Sequence, residues 1–173
     1  MDFEPLLLKP INPGIALAAR YIQEIAAGSA LPKRRDFRPS RVPSILGFIY
    51  LIDVLPDQKD YHFSLFGEHM AVLYGQNVTN KYLSDMIQDG FCTQIRRSYE
   101  DVIATHSFHY TRGRYTWPDR FVNIERLLMP MADNDGNLNS IIGLTIPDTP
   151  IDTLHIFAGI GAARMEIDEK IIG

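Results

Sequence analysis

Residues 121–147 read FVNIERLLMPMADNDGNLNSIIGLTIP. Two runs rich in branched apolar residues flank Asp133-Asn134-Asp135-Gly136-Asn137. Short polar side chains and a glycine tolerate positive φ, so this cluster closes a tight turn. The pattern predicts a long antiparallel hairpin. In its first arm Leu127, Met129 and Met131 alternate with Leu128 and Pro130; in its second Ile142, Leu144 and Ile146 alternate with Ile141, Gly143 and Thr145. Successive strand side chains point to opposite faces. Apolar residues in both alternating sets therefore predict a central strand pair covered on both sides.

The rest of the chain reads as material for covering that pair. Just upstream, 105–112 alternates polar and aromatic residues as a strand does, and 113–120 reads as a loop carrying Tyr115 and Trp117. Before them, 91–104 follows helical spacing, with Phe91, Ile95, Tyr99 and Val102 on one face. Arg96 with Glu100, and Arg97 with Asp101, stand four apart as ordinary helix support. Two shorter helices are predicted earlier, one from Gly67 to Gly75 with Met70, Leu73 and Tyr74, and one after a Thr79 cap with Tyr82, Leu83, Met86 and Ile87. The β-rich runs 48–55 and 61–66 form a second hairpin across 56–60.

Further upstream, 32–43 is a charged connector punctuated by three prolines. Its basic residues suit an anion or an acidic partner, but a charge run in a loop is first of all a solvated surface. Asn12-Pro13 caps a helix whose Ile15, Ala18, Ala19, Ile22, Ile25 and Ala26 form one sticky face before Gly28. That face suits packing on its own sheet and dimerisation equally. After Pro147, 148–150 reads as a linker, 154–161 is apolar and glycine-broken, and 164–171 alternates, as extra strand or as partner-packing tail. The division is a helix at 1–30, a main domain at 31–147 and an extension at 148–173.

The chain has 173 residues, 46% hydrophobic and 22% charged, with a net charge of -4. This is enough to bury a core without staples. The negative balance argues against general nucleic-acid binding. Cys92 stands alone, so no intrachain disulfide forms and a reducing compartment fits. Met1 to Leu8 lacks a basic start and a long apolar run, and no window approaches the ~18 apolar residues of a membrane helix. The cytoplasm is the expected location.

The predicted succession of two strands, helices and three strands is the plan of the PAS domain. The wording narrows it. LPKRRDFRPSRVPSILGFIYLIDVL at 31–55, YHFSLFGEHMAVLYGQNVTNKYLSDM at 61–86 and ERLLMPMADNDG at 125–136 closely resemble the bacterial PAS_5 family, found chiefly in alphaproteobacteria. Its pattern runs basic-Asp-Phe-x-Pro, Val/Ile-Pro, a strand ending in Asp, and a late Leu-x-x-Pro-Leu. The chain departs from it at Ser64-Leu65-Phe66-Gly67 and at Asn77-Val78-Thr79-Asn80, beside the expected pocket, so ligand identity does not carry over. The resemblance implies an α+β PAS fold, a five-stranded antiparallel sheet with helices on one face, to which the N-terminal helix and C-terminal extension are added. It also implies a non-enzymatic sensory or regulatory role, a homodimer, and contact with a signalling partner. With no output module in 173 residues, any signal is expected to travel by protein contact.

A PAS ligand sits between the sheet and the helices after the second strand. By analogy the candidates are Phe63, Met70, Tyr74, Tyr82, Met86, Ile95, Tyr99, Arg126 and Leu128, and each apolar one equally suits plain core packing. Arg126 is the sharpest of them, because a guanidinium within an apolar strand needs a partner or water. A ligand carboxylate, Glu125 of a second copy, Asp53 or simple exposure would each serve. His62, His69, His106, His109 and His155 are scattered, and His106 and His109 fall on opposite faces if both lie on a strand. The haem-binding PAS sensors carry their histidine on the long helix, and 91–104 contains none. Flavin-adduct sensors carry Asn-Cys-Arg-Phe-Leu-Gln, which Gly90-Phe91-Cys92-Thr93-Gln94 is not. No haem, flavin-adduct or metal signature is present, and the cofactor is left open. The remaining readings are a ligand-free adaptor, and an isomerase-like enzyme with one Asp base (Asp53 or Asp85) and a Tyr donor.

Overall fold

The computed structural model describes residues 1–86, 90–151 and 163–173. The predicted hairpin forms as its alternation requires. Strands β4 (Arg120–Ala132) and β5 (Leu138–Pro147) pair antiparallel from Ile124 opposite Pro147 to Ala132 opposite Leu138. Asp133 closes the turn, its Oδ1 accepting from the amides of Asp135 and Asn137, both at 2.9 Å. Gly136 there takes φ +91°, a conformation that costs glycine little.

The hairpin is the centre of a six-stranded antiparallel sheet in the order β2-β1-β5-β4-β3-β6. The other strands are β1 (Ile49–Val54), β2 (Tyr61–Phe66), β3 (His109–Trp117) and β6 (Arg164–Ile172). The sixth strand comes from the C-terminal extension and runs along β3; the expected count of five lacks it. Period 2 divides the sheet between two cores. Tyr50, Ile52, Ile124, Leu128 and Ile141 enter one, with Met70 and Leu73 of α3 (Glu68–Tyr74) and Phe91, Ile95 and Tyr99 of α4 (Gly90–Thr105). Leu51, Leu127, Met129, Met131, Ile142 and Leu144 enter the other, with Phe3 and Leu6 beside α1 (Glu4–Leu7) and with α2 (Pro13–Ala26). Helices α3 and α4 share one face as expected, and the added N-terminal helix α2 covers the other.

The sequence left α2 with two uses for its apolar face, and the structure takes the first. Asn12 Oδ1 accepts from Gly14 N at 2.8 Å as a cap, and Ile15, Ala18, Ala19, Tyr21 and Ile22 are buried against the sheet. Fully burying Ile15 or Ile22 contributes about 1.5–3 kcal/mol each. The connector is held the same way: Tyr21 Oη accepts from Arg38 N at 2.7 Å, and Arg41 reaches Glu24 at 3.1 Å.

Four local expectations are corrected. The supposed loop at 113–120 is strand on both sides of a turn at Pro118 and Asp119, because Gly113, Tyr115 and Trp117 alternate into the core. The strand predicted from 105 begins at His109, since Thr105 ends α4 and His106 turns the chain at φ +52°. The helix after Thr79 shrinks to one 3-10 turn, Leu83–Asp85, with Asp85 accepting from Tyr82 N at 2.9 Å. The i,i+4 pairs on α4 give way to tertiary ones: Arg96 meets Asp60 at 3.5 Å and Asp101 meets Lys170 at 3.0 Å. The predicted segments at Ile87 and at 154–161 lie outside the described residues. No helix among the described residues is long and apolar enough to cross a membrane.

Gly113 is required by the sixth strand. A Cβ there would stand 2.1 Å from the carbonyl oxygen of Glu166 on β6. Gly113→Ala should therefore push β6 off β3 and cost about 1–3 kcal/mol, measured as a lowered midpoint in urea denaturation.

Candidate functional site

The core under α3 and α4 is built from aromatic rings meeting edge to face. Phe66 meets Tyr74 at 5.3 Å, Tyr74 meets Phe91 at 6.0 Å, and Phe91 meets Tyr115 at 5.2 Å. Each such pair contributes about 0.5–1.5 kcal/mol beyond its buried area. Tyr50 lies flat across β5 because Gly143 leaves room; a Cβ at 143 would be 2.1 Å from its ring. Its hydroxyl lies 3.4 Å from Thr145 Oγ1, also buried.

Into this core β4 sends Arg126, 2% exposed. Its Nη1 donates to Met165 Sδ on β6 at 3.6 Å, and its Nε has no hydrogen-bond partner among the described residues. Burial opposes its charge, while tyrosinates at Tyr50, Tyr115, Tyr99 and Tyr74 would favour it. Burial itself keeps three of those hydroxyls neutral, pushing Tyr50 up to about 12 and Tyr74 and Tyr99 well above their usual range. A guanidinium does not shed its proton in a protein. Arg126 thus brings a full positive charge into an apolar interior with no carboxylate to answer it among the described residues.

Arg126 also lines a cleft of about 300 Å³ between α4 and the β3–β6 edge. Gln94, Arg97, Ser98 and Asp101 line it from α4, His109 and Thr111 from β3, and Met165, Ile167 and Lys170 from β6. Gln94 clips the two sides together, its Nε2 donating to Met165 O at 3.1 Å and its Oε1 accepting from Met165 N at 2.9 Å. Asp101 is engaged by Lys170, and Arg97 has no ion-pair partner among the described residues. His109 is buried, with Nε2 2.8 Å from Thr105 Oγ1, and burial, assisted by Lys170, pulls its imidazole down to about 4.

The sequence pattern of the PAS_5 family, described as a PAS domain, matches residues 12–146. The chain belongs to this family. Among solved structures this PAS domain is similar to a light-oxygen-voltage domain studied with a flavin analogue, at 11% identity and TM-score 0.46, covering 66% of this chain and 88% of that one. It is similar to the PAS domain of Bordetella pertussis BvgS at 18% identity and TM-score 0.40, covering 57% and 73%. An RNA-binding light-oxygen-voltage receptor matches at 17% identity and TM-score 0.44, covering 86% of this chain and 38% of that chain. No curated protein matches the chain. The family match, and not these structures, carries the assignment.

Of the candidates read from the sequence of this PAS domain, Phe63, Met70, Tyr74, Ile95, Tyr99 and Leu128 converge in the aromatic core with Arg126 beside them. Met86 packs at its margin. Tyr82 is 40% exposed and meets the His62 ring, tilted, at 5.0 Å, outside the core. Arg126 is neither exposed nor paired with Asp53, which meets His62 at 3.3 Å and Ser64 at 3.2 Å. Glu125 is occupied within its own chain by Asn12 N at 2.9 Å and Tyr110 Oη at 3.0 Å. Sequence reading missed Tyr50, Tyr115, Arg97, His109, Met165 and Lys170. Tyr115 falls in the predicted loop, and Met165 and Lys170 fall in the segment read as extra strand or partner-packing tail, whose neighbour in the sheet the sequence does not specify.

The isomerase reading takes Asp53 or Asp85 as its base, beside a tyrosine of the aromatic core. Asp53 is on the opposite face of β1 from Tyr50, and Asp85 caps a turn. In the surface group Ser64–Asp53–His62 the hydroxyl meets the carboxylate, not the imidazole, so no nucleophile is activated. Among the described residues His106 lies in a turn, His109 opens β3, and no metal-binding cluster occurs.

Replacing an uncompensated buried charge by an apolar side chain of similar length removes its desolvation cost. Arg126→Met should therefore raise the unfolding free energy by about 1 kcal/mol or more, measured by urea denaturation. His109 has a folded pKa below its unfolded value, so its contribution is complete above pH ~6.5 and is lost as pH falls toward about 4. Wild-type stability should decline across that window by up to about 1.4 kcal/mol per pH unit from this group. His109→Gln should flatten the slope in denaturation curves taken between these limits.

Proposed function

We propose that this chain is a non-enzymatic sensory PAS domain that binds a small molecule and passes the signal on by protein contact, as a cytoplasmic homodimer. Membership of the PAS_5 family supports the sensory and regulatory class. One observation supports the ligand: Arg126, 2% exposed, keeps an unpartnered Nε and lines a cleft. Buried polar groups are ordinarily satisfied, and a pocket with convergent polar groups is the usual small-molecule site. A ligand preferring one arrangement of α4 and β6 shifts the population toward it. Apolar side chains left exposed, among them Leu8, Leu17, Phe121, Ile167 and Ile172, supply material for contacts between chains.

The alternative is a ligand-free dimerisation or adaptor module, favoured by the edge-to-face packing of Phe66, Tyr74, Phe91 and Tyr115 through the core. Native mass spectrometry of freshly purified protein, compared with the denatured chain, separates the two. The sensory reading expects a dimer of the 19.7 kDa chain with extra mass that disappears on unfolding, or a thermal shift with a small-molecule panel. A bare dimer unmoved by any of the panel would establish the adaptor reading instead.

A further inference from the structure

The cleft between α4 and β6 has an unbalanced charge. Arg97, Arg126 and Lys170 line it against one carboxylate, Asp101, which Lys170 already engages at 3.0 Å. Arg97 and Lys170 are exposed at its mouth, and Arg126 is buried at its floor. Burial keeps Tyr50, Tyr74 and Tyr99 around Arg126 neutral, so they supply no counter-charge. At about 300 Å³ the cleft is at the small end of ligand pockets.

Given the small-molecule reading above, on which it rests, we propose that this cleft binds a small organic carboxylate, held by Arg126 at the floor and by Arg97 and Lys170 at the mouth, and that the bound anion locks β6 to α4. A guanidinium edge presents parallel N–H donors that fit the two oxygens of a carboxylate. The free Nε of Arg126 belongs to such an edge. The other buried lining is Met165, Thr111 and the neutral His109, so a carboxylate meets the single buried charge there, whereas the second charge of a phosphate would go unanswered at the floor. The lock follows from the lining: Arg97 is on α4, Lys170 and Met165 are on β6, and Arg126 touches β6 through Met165. The ligand therefore reinforces the clip that Gln94 makes to the Met165 backbone. β6 becomes the element whose order reports occupancy.

Calorimetric titration of the full chain with acetate, pyruvate, succinate and citrate tests this, with succinamide as the neutral control and inorganic phosphate as the rival anion. At least one carboxylate should bind and slow hydrogen exchange across β6, while succinamide does not. Arg126→Met should weaken that binding about tenfold or more. Arg97→Gln and Lys170→Gln, both surface changes that leave the core intact, should each weaken it about two- to fivefold. Equal binding of phosphate overturns the carboxylate class, and undiminished binding by all three variants overturns the site. A neutral co-purifying molecule with no carboxylate response overturns this proposal and leaves the sensory reading standing. No bound mass and no response to any probe overturns both.

Discussion

Two-sided burial of the β4–β5 pair is the constraint on which the structure depends. Every residue along the inner part of these strands enters one core or the other. A shift of one residue would exchange the faces, turning Arg126 toward α2 and Leu127 toward the tyrosines. The Asp133 turn and the fit of Tyr50 over Gly143 hold the register against that slip. The helices and outer strands then take the places that two apolar faces leave for them.

The same alternation explains why adjacent opposite charges do not pair. Glu125 and Arg126 are neighbours in sequence and point to opposite faces of β4. Glu125 gathers Asn12 N, Tyr110 Oη and Arg112, tying the start of α2 to the sheet. Arg126 is left on the other side among buried tyrosines and a methionine sulfur. A sulfur is a weak acceptor for a charge that burial has stripped of water, so this position serves stability poorly. Positions that break a local rule without compensation are where function is expected.

The C-terminal extension changes the character of the fold. β6 extends the sheet beyond β3, supplies Met165 to Arg126, and builds one wall of the cleft with Ile167 and Lys170. Lys170 also takes Asp101 away from Arg97, which leaves that arginine at the cleft mouth without an ion-pair partner among the described residues. A segment that alternates polar and apolar residues thus helps assemble the charged site and is at the same time held in place by it.

The residue order alone determined the central hairpin and its two covered faces, the β1–β2 hairpin, α3 with its glycine stop, α4 and the Asn12 cap. Each is dictated by short-range periodicity or turn chemistry acting within the segment itself. The motifs at 31–55, 61–86 and 125–136 carried the family, and the lone Arg126 marked the candidate site. The strand at 113–117 was hidden because its glycine and its loop-like neighbours masked an alternation that only β6, with a backbone too close for any Cβ at Gly113, makes sense of. Tertiary structure alone decided which face α2 covers, which partners Arg96 and Asp101 choose, and which groups stand around Arg126. These outcomes depend on residues such as 101 and 170, or 126 and 165, that are distant in sequence and meet only when the sixth strand closes beside the third.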